Sequence, residues 1–219
     1  IAIDPQYADA YNNRGAAKAG LKDYQGAIAD FNKAIAIDPQ YADAYHNRGL
    51  AKYYLKDYQA AVADYNKAIE IDPQYAVAYY NRGNAKDDLG DTQAAIADYN
   101  KAIEINPQFA SAYTNRGFAK RNLGDRQGAI ADFSKAIAIN PQDAMAYNNR
   151  CGAKHSSGDY QGAIIDCNEA IEINPQFAGA YYNRGYAKEL LGDLTGGCAD
   201  SKKAASLGDQ STAQWLNSE

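Results

Sequence analysis

The chain has 219 residues, of which 46% are hydrophobic and 22% charged, and its formal net charge at pH 7 is −5. This composition is typical of a folded domain. No apolar run approaches the roughly 18 residues that a membrane-spanning helix needs, and no segment resembles a signal peptide. The negative charge argues against nucleic acid and anionic membranes as the main partners. Three cysteines, an odd number, predict no disulfide framework and favour a reducing, cytoplasmic compartment.

A strict period of 34 residues organises the sequence. The prolines follow one another at this spacing, and so do a set of tyrosines and a set of Asn-Arg pairs. A regular period in this range predicts stacked supersecondary units rather than one globular core. The prolines are Pro5, Pro39, Pro73, Pro107, Pro141 and Pro175, and the tyrosines are Tyr11, Tyr45, Tyr79, Tyr113, Tyr147 and Tyr181.

The predicted elements begin with residues 1–7, whose IAIDP segment copies residues 35–39 and is interpreted as the remnant of a preceding repeat's second helix. In the first complete repeat, residues 8–21 and 24–37 predict two helices. Asp23 precedes the second helix, where an Asp side chain can cap free backbone amides. The second helix should end at the Asp-Pro pair, because proline disfavours helical geometry in the residue before it. The short connection between the helices predicts an antiparallel hairpin.

The same pair of helices is predicted in each of six repeats, at residues 8–41, 42–75, 76–109, 110–143, 144–177 and 178–207. Residues 208–219 then predict a C-terminal capping helix, in which Trp215 and Leu216 would cover the last hairpin. Within a hairpin, Gly15 should lie opposite Ala27, so that the two backbones approach closely. Aromatic residues such as Phe31 should fill the space between successive hairpins.

This spacing of aromatic, glycine, alanine and proline residues resembles the tetratricopeptide repeat (TPR) over about residues 8–207. Two positions depart from the family pattern in every repeat, because Arg14 and Lys18 stand where the family usually has Leu and Tyr. The resemblance implies an all-α, right-handed superhelical solenoid of antiparallel helix pairs, with the first helices on its concave side. It also implies a protein-interaction scaffold. In the first repeat the matching residues are Tyr11, Gly15, Ala27, Phe31, Ala34 and Pro39.

Five positions of the first helices vary strongly between repeats, and helical spacing places them on one face. The resemblance puts this face on the concave side. Large apolar side chains are unfavourable on a face that meets only water, so the face is predicted to bind a peptide. The alternative is a solvated face whose sequence drifts without constraint. The predicted binding residues are Leu50, Tyr53, Tyr54, Tyr80, Asn84, Phe118, Arg121, Tyr182 and Tyr186.

One residue on the same face does not vary, although Asn is about 0.5 kcal/mol worse than Ala inside a helix. A carboxamide can pair with both the N–H and the C=O of one peptide group. First helices about 10 Å apart would place one carboxamide beside every third residue of an extended segment. In this respect the array resembles the asparagine-lined superhelix of O-linked N-acetylglucosamine transferase. The alternative is that each Asn bonds to a neighbouring helix. The six residues are Asn13, Asn47, Asn81, Asn115, Asn149 and Asn183.

Two other kinds of binding site are less well supported. The carboxylate clamp known in this family needs basic residues where this chain has Tyr80, Met145 and Asn149, so we expect no such clamp. The repeated Arg14 and Lys18 could form a basic row that binds RNA. Each pair is matched by an Asp in the following helix, however, so we expect ion pairs instead.

A catalytic or metal site finds little support. Cys151 and His155 lie four residues apart on one helix, a spacing that could hold a metal or activate a thiolate. Cys151 replaces the packing glycine, however, and Cys167 replaces the aromatic residue of the same repeat, which indicates volume compensation in a core. We therefore predict no enzyme activity, no cofactor and no metal.

The function that we predict is a non-enzymatic scaffold that binds an extended peptide or protein segment, with no nucleic-acid or membrane partner. Two alternatives stay open. One is a regulatory or targeting arm of an enzyme that lies N-terminal to these residues. The other is self-assembly through the uncapped N-terminal end, where Tyr7, Tyr11 and Ala34 would form an exposed apolar face.

Overall fold

A computed structural model of the chain describes residues 7–209, and this part contains twelve α-helices and no strand. The helices belong to two compact units that divide between Pro107 and Gln108. Unit 1 contains α1 (Ala8–Gly20), α2 (Tyr24–Ile37), α3 (Ala42–Tyr54), α4 (Tyr58–Ile71), α5 (Ala76–Asp88) and α6 (Thr92–Ile105). Unit 2 contains α7 (Ala110–Asn122), α8 (Arg126–Ile139), α9 (Ala144–Ser156), α10 (Tyr160–Ile173), α11 (Ala178–Leu190) and α12 (Leu194–Ser206).

The helices pack in pairs that follow chain order. In unit 1, α1 packs against α2, α3 against α4 and α5 against α6, and the second helix of one pair also contacts the first helix of the next. Unit 2 repeats this arrangement from α7 to α12. The predicted all-α fold of repeated helix pairs is therefore confirmed. The two helices predicted in the first repeat are also correct, apart from Leu21, which follows the end of α1.

Local chemistry fixes the ends of the helices. Asp23 accepts a hydrogen bond from the backbone N–H of Gly26 at 2.9 Å, as predicted, and an equivalent Asp caps each of α4, α6, α8, α10 and α12. Asp38, which precedes proline, has an extended backbone and ends α2. The turn inside each pair contains a residue of positive φ, a conformation that favours glycine. Gly90 has φ 85° there, whereas the first pair uses Lys22 with φ 64°.

Each of the first four pairs packs around a glycine that lies against an aromatic ring, whereas in the sixth pair Gly185 lies against Gly197, Asp200 and Ser201. A Cβ atom added to Gly15 would lie 2.6 Å from the ring of Phe31, so no larger residue fits without a shift. The ring is buried and also packs against Ala51 of the next pair. The atoms nearest to Gly15 therefore belong to Phe31 rather than to the predicted Ala27. One aromatic side chain fills both the seam of its own pair and the space toward the next.

In the fifth pair these two positions hold Cys151 and Cys167, which are buried and joined by a disulfide bond. The prediction that the cysteines form no disulfide is therefore wrong. The glycine and aromatic positions face each other across a hairpin, and here their Cα atoms are 5.6 Å apart, within the range that a disulfide requires. The bonded Cys151 offers no thiolate, so the spacing to His155 supplies no reactive or metal-binding sulfur.

Every repeat carries the ion cluster that the sequence predicts. Arg14 Nη2 and Lys18 Nζ lie 2.5 and 2.8 Å from the two carboxylate oxygens of Asp30, which is buried. Hydrogen bonds donated by Arg14 lower the pKa of Asp30 to about 2. The cations of the repeated basic row are thus held by carboxylates within the fold. The equivalent carboxylates are Asp64, Asp98, Asp132, Asp166 and Asp200.

Several predictions for the ends of the chain fall on residues that the structure does not describe. Residues 1–6 of the predicted remnant (residues 1–7) and most of the predicted cap, including Trp215 and Leu216, lie outside the described range. Tyr7 is 55% exposed, but Ala34 is 0% exposed because α2 packs against α3. The expectation that Ala34 belongs to an uncovered apolar face is therefore wrong. Between residues 7 and 209, no helix is long and apolar enough to cross a membrane.

Candidate functional site

The predicted binding residues all lie on the first helices of the pairs. We use the term first-helix face for the side of these helices that carries the variable positions and the repeated asparagine. In unit 1 it belongs to α1, α3 and α5, and in unit 2 to α7, α9 and α11. The faces of the two units are described separately.

A groove of about 510 Å³ opens on the first-helix face of unit 1, between the first two helix pairs. Three predicted residues line it, namely Asn47, Leu50 and Tyr54. The groove exists because α1 has small side chains, among them Ala16 and Gly20, at the positions where α3 has Leu50 and Tyr54. Its volume lies within the range of about 300–1,000 Å³ that is common for ligand pockets.

Aromatic side chains form the walls of this groove. Phe31 and Tyr24 line it, and the Tyr24 ring stacks on the Tyr54 ring with centroids 5.2 Å apart and an interplanar angle of 15°. Tyr54 is nevertheless 56% exposed, so much of its ring is available for contact. Lys22 provides a charged group among the lining residues. The groove can therefore accept an apolar side chain of a bound segment between its aromatic walls, while Lys22 can contact a polar group of that segment.

Three other predicted residues of unit 1 make contacts within the fold. The Tyr53 hydroxyl donates a hydrogen bond to Asp88 at 2.6 Å, and burial together with this carboxylate raises the pKa of Tyr53. Asn84 accepts a hydrogen bond from the Tyr99 hydroxyl at 2.9 Å. The Tyr80 ring lies 6.1 Å from the Tyr99 ring and is half-buried. These side chains hold neighbouring helices together, which sequence variation alone does not reveal.

In unit 2, too, some of the predicted residues make contacts within the fold and others are exposed. Phe118 packs edge-on against the buried Phe133 at 5.3 Å, and the Arg121 guanidinium lies 5.0 Å from the Phe118 ring centroid. Tyr182 and Tyr186, by contrast, are 42% and 46% exposed. Leu190, which was not among the predicted residues, continues their line at i, i+4 and i+8 along α11 and is also 46% exposed.

The repeated asparagines form hydrogen bonds between neighbouring first helices. In each of the three observed cases the Asn side-chain amide reaches the residue that follows the tyrosine in the preceding repeat. These pairs are Asn47 with Asn12 at 3.1 Å, Asn183 with Asn148 at 2.9 Å, and Asn81 with His46 at 2.9 Å. A carboxamide has two N–H groups and one acceptor, so a single bond of this kind does not exhaust it.

Asn149 differs from these three residues. Its side chain is buried, but its Nδ2 has no hydrogen-bond partner. The residue at the accepting position is Thr114, whose hydroxyl donates to the Ala110 carbonyl of its own helix at 3.2 Å. A threonine side chain is also shorter than an asparagine or histidine side chain. Of the two remaining asparagines, Asn13 is exposed and Asn115 is half-buried.

The accepting position was included among the freely variable ones, and its structural role was missed. His46 shows why it tolerates change. Burial lowers the pKa of His46 and so favours the neutral ring, whose Nε2 can accept a hydrogen bond from the Asn81 amide. Asn and His therefore perform the same task. The available signal was that polar side chains occupy this position in most repeats.

Comparison with known families and structures fits this architecture. The tetratricopeptide-repeat family matches residues 42–75, 76–109 and 110–143, and a second description of the TPR repeat matches residues 21–55 and 153–192. The chain belongs to the TPR family. No curated protein sequence matches it. The family consists largely of protein-interaction modules, which agrees with the predicted scaffold role.

Several solved structures have a similar fold. The chain is similar to the crystal structure of MamA, with 27% identity over 78% of this chain and 93% of that chain, and a TM-score of 0.70. It is also similar to YrrB, described as a TPR protein with an unusual peptide-binding site, at 23% identity, covering 86% and 98% of the two chains with a TM-score of 0.72. Pseudomonas aeruginosa pilF shares 17% identity over 97% of both chains, with a TM-score of 0.82.

Proposed function

We propose that this TPR protein binds an extended peptide or protein segment along the first-helix faces of its units and catalyses no reaction. The observation that carries the proposal is the groove of about 510 Å³ in unit 1, which has aromatic walls and the asparagine Asn47 in its lining. The exposed line of Tyr182, Tyr186 and Leu190 offers a second apolar surface in unit 2. Amphipathic rings of this kind supply large contact areas at small entropic cost.

The repeated asparagines have a dual role in this proposal. Each of three amides uses one donor to bond a neighbouring helix, and the carboxamide can still contact the backbone of a bound segment. Contacts of this kind do not depend on the side chains of the segment. The variable residues such as Leu50, Tyr54 and Tyr186 then determine which side chains are accepted.

The proposal can be tested by selecting binding peptides from a displayed library and measuring their affinities for matched variants. Ala16→Phe fills the groove of unit 1 with the residue type that occupies this position in the fourth repeat. Tyr186→Ala removes a contact surface in unit 2, and the double variant changes both units. Ala29→Phe, at an exposed position of α2, is the control.

Each selected peptide should lose at least about tenfold in affinity for one of the face variants, the amount expected when an apolar contact of about 1.4 kcal/mol is lost. The control should bind as the wild type does, and thermal unfolding should verify that all variants fold. Peptides that bind the double variant as tightly as the wild type would contradict the proposal, and so would the absence of any binding peptide.

A further inference from the structure

One position in unit 2 leaves the first-helix face without a side chain. The fifth repeat has Gly152 at the position that follows the conserved glycine or, in this repeat, Cys151. The other five repeats have a side chain there: Ala16, Leu50, Asn84, Phe118 and Tyr186. A Cβ atom added to Gly152 would meet only one atom within 4 Å, the Arg121 Nη1 at 4.0 Å. The backbone of α9 is therefore open to contact at this point, in a notch beside the Arg121 guanidinium.

Arg121 is unusual among the arginines of the first helices. The repeated arginines, such as Arg150 and Arg184, each form an ion pair with an aspartate of the following helix. Arg121 forms no ion pair within the described residues, and its guanidinium lies over the Phe118 ring. A guanidinium with five donors is thus available for a carboxylate.

Asn149 supplies a second, independent observation. It lies one turn before Gly152 on the same side of α9, is 6% exposed, and has an Nδ2 without a partner. A buried donor without an acceptor is unfavourable, so an incoming carbonyl oxygen would satisfy a group that the fold leaves unpaired. His155, one turn after Gly152, also has an Nε2 without a partner.

An apolar surface adjoins this notch on the other side. The Tyr186 ring lies against His155 with centroids 4.6 Å apart, and Tyr182 and Leu190 extend the exposed line along α11. Successive first helices are separated by about 10 Å, which an extended chain spans in about three residues. The Arg121 guanidinium reaches across to Gly152 on α9, and α9 and α11 are successive first helices, so the guanidinium and Tyr186 flank a stretch that a short peptide can bridge.

We propose that this notch binds an extended segment in which an acidic residue is followed or preceded, about three residues away, by a large apolar residue. The carboxylate pairs with Arg121, a backbone carbonyl of the segment accepts from Asn149, and the apolar side chain packs on Tyr182, Tyr186 and Leu190. The inference rests on the proposed peptide-binding function and adds the chemistry of the partner. It differs from the clamp positions considered above, because its cation lies at Arg121.

The test uses a peptide array incubated with the intact protein. Each peptide has a background of Gly, Ser, Ala and Thr, one Leu, and a Glu, Gln or Lys at one to five residues from the Leu. The variants are Arg121→Gln, which removes the charge, and Gly152→Leu, which fills the notch with the residue type of position 50. Arg126→Gln is the control, because Arg126 is exposed on α8 and has no ion pair among the described residues.

Glu peptides with a spacing of about three residues should bind the wild type at least tenfold more tightly than their Gln counterparts, because charge-assisted hydrogen bonds are the strong ones. Arg121→Gln should remove this preference, Gly152→Leu should weaken all of these peptides, and Arg126→Gln should change neither. Equal binding of Glu and Gln peptides would overturn the inference, as would equal effects of Arg121→Gln and Arg126→Gln. If Gln peptides bind equally and are lost in the double face variant described above, only this inference fails. If no peptide binds, the proposed function fails with it.

Discussion

Supplying Asn149 with an acceptor should stabilise unit 2. Thr114→Asn introduces the residue that accepts the equivalent hydrogen bond at Asn12 and Asn148. Thr and Asn have similar helix propensities, so the backbone contributes little to the difference. The hydroxyl bond that is lost, from Thr114 to Ala110, is of a type that slightly destabilises helices.

The expected gain is that of one intramolecular hydrogen bond, about 0.5–1.5 kcal/mol. For a chain of this size, about 1 kcal/mol shifts the melting temperature by about 2–4 °C, so Thr114→Asn should melt roughly 1–6 °C higher. Thermal unfolding followed by circular dichroism measures the shift. A double-mutant cycle with Asn149→Ala separates the new pair from other effects, because the gain should vanish when Asn149 is absent.

Two results would refute this reasoning. If Thr114→Asn stabilises the protein equally with and without Asn149, the gain does not come from the proposed pair. If Asn12→Ala and Asn47→Ala show no coupling in a parallel cycle, the observed hydrogen bond between these residues contributes nothing to stability.

Three further predictions concern other parts of the fold. Reduction of the Cys151–Cys167 disulfide should lower the stability of unit 2 by about 3 kcal/mol, the chain-entropy value for a loop of about 15 residues; thermal unfolding with and without reductant measures this, and a variant with both cysteines replaced by Ala should not respond to reductant. The wild type should lose stability as the pH falls below about 6.5, since burial lowers the pKa of His46 and protonation would remove its accepting nitrogen. His46→Asn should not show this loss. Denaturant titrations from pH 7.5 to 5 measure the free energy of unfolding, and the same change with pH in both proteins would contradict the prediction. Asp30→Asn should be less stable than the wild type at pH 7, and the two should converge as the pH falls from about 4 to 2, because the folded pKa of Asp30 is about 2 and its ionised form is stabilising above that window; a constant difference would argue against the ion cluster.

The features that sequence analysis predicted correctly are those with local causes. The Asp23 cap depends on a side chain and an amide three residues apart, and the end of α2 depends on the residue that follows Asp38. The ion pair of Arg14 with Asp30 joins two helices, but the 34-residue period repeats it and so makes it visible. Because the same pair recurs in every repeat, a contact between two helices could be recognised from the sequence.

Two features escaped prediction because they depend on which side chains face each other in three dimensions. The disulfide requires that the glycine and aromatic positions lie in contact, whereas the sequence only places Cys151 and Cys167 on adjacent helices. Counting cysteines was misleading, because Cys198 makes the total odd without taking part. A bond from each repeated Asn to a neighbouring helix was considered only as an alternative, and its acceptor, such as Asn12 for Asn47, was not identified because the accepting residue changes identity between repeats.

Variation between repeats therefore has two physical meanings on the first-helix face. At the accepting position, Asn12 and His46 differ in identity but provide the same kind of acceptor, so change there is compatible with a structural role. Gly152 and Tyr186 differ in size, and both lie open: a Cβ atom at Gly152 would meet only one atom within 4 Å, and Tyr186 is 46% exposed. A substitution at a residue with few internal contacts changes the surface that a bound segment contacts and leaves the packing of the helices unchanged. A search for specificity in this protein should therefore start from variable residues that have few internal partners, rather than from variability alone.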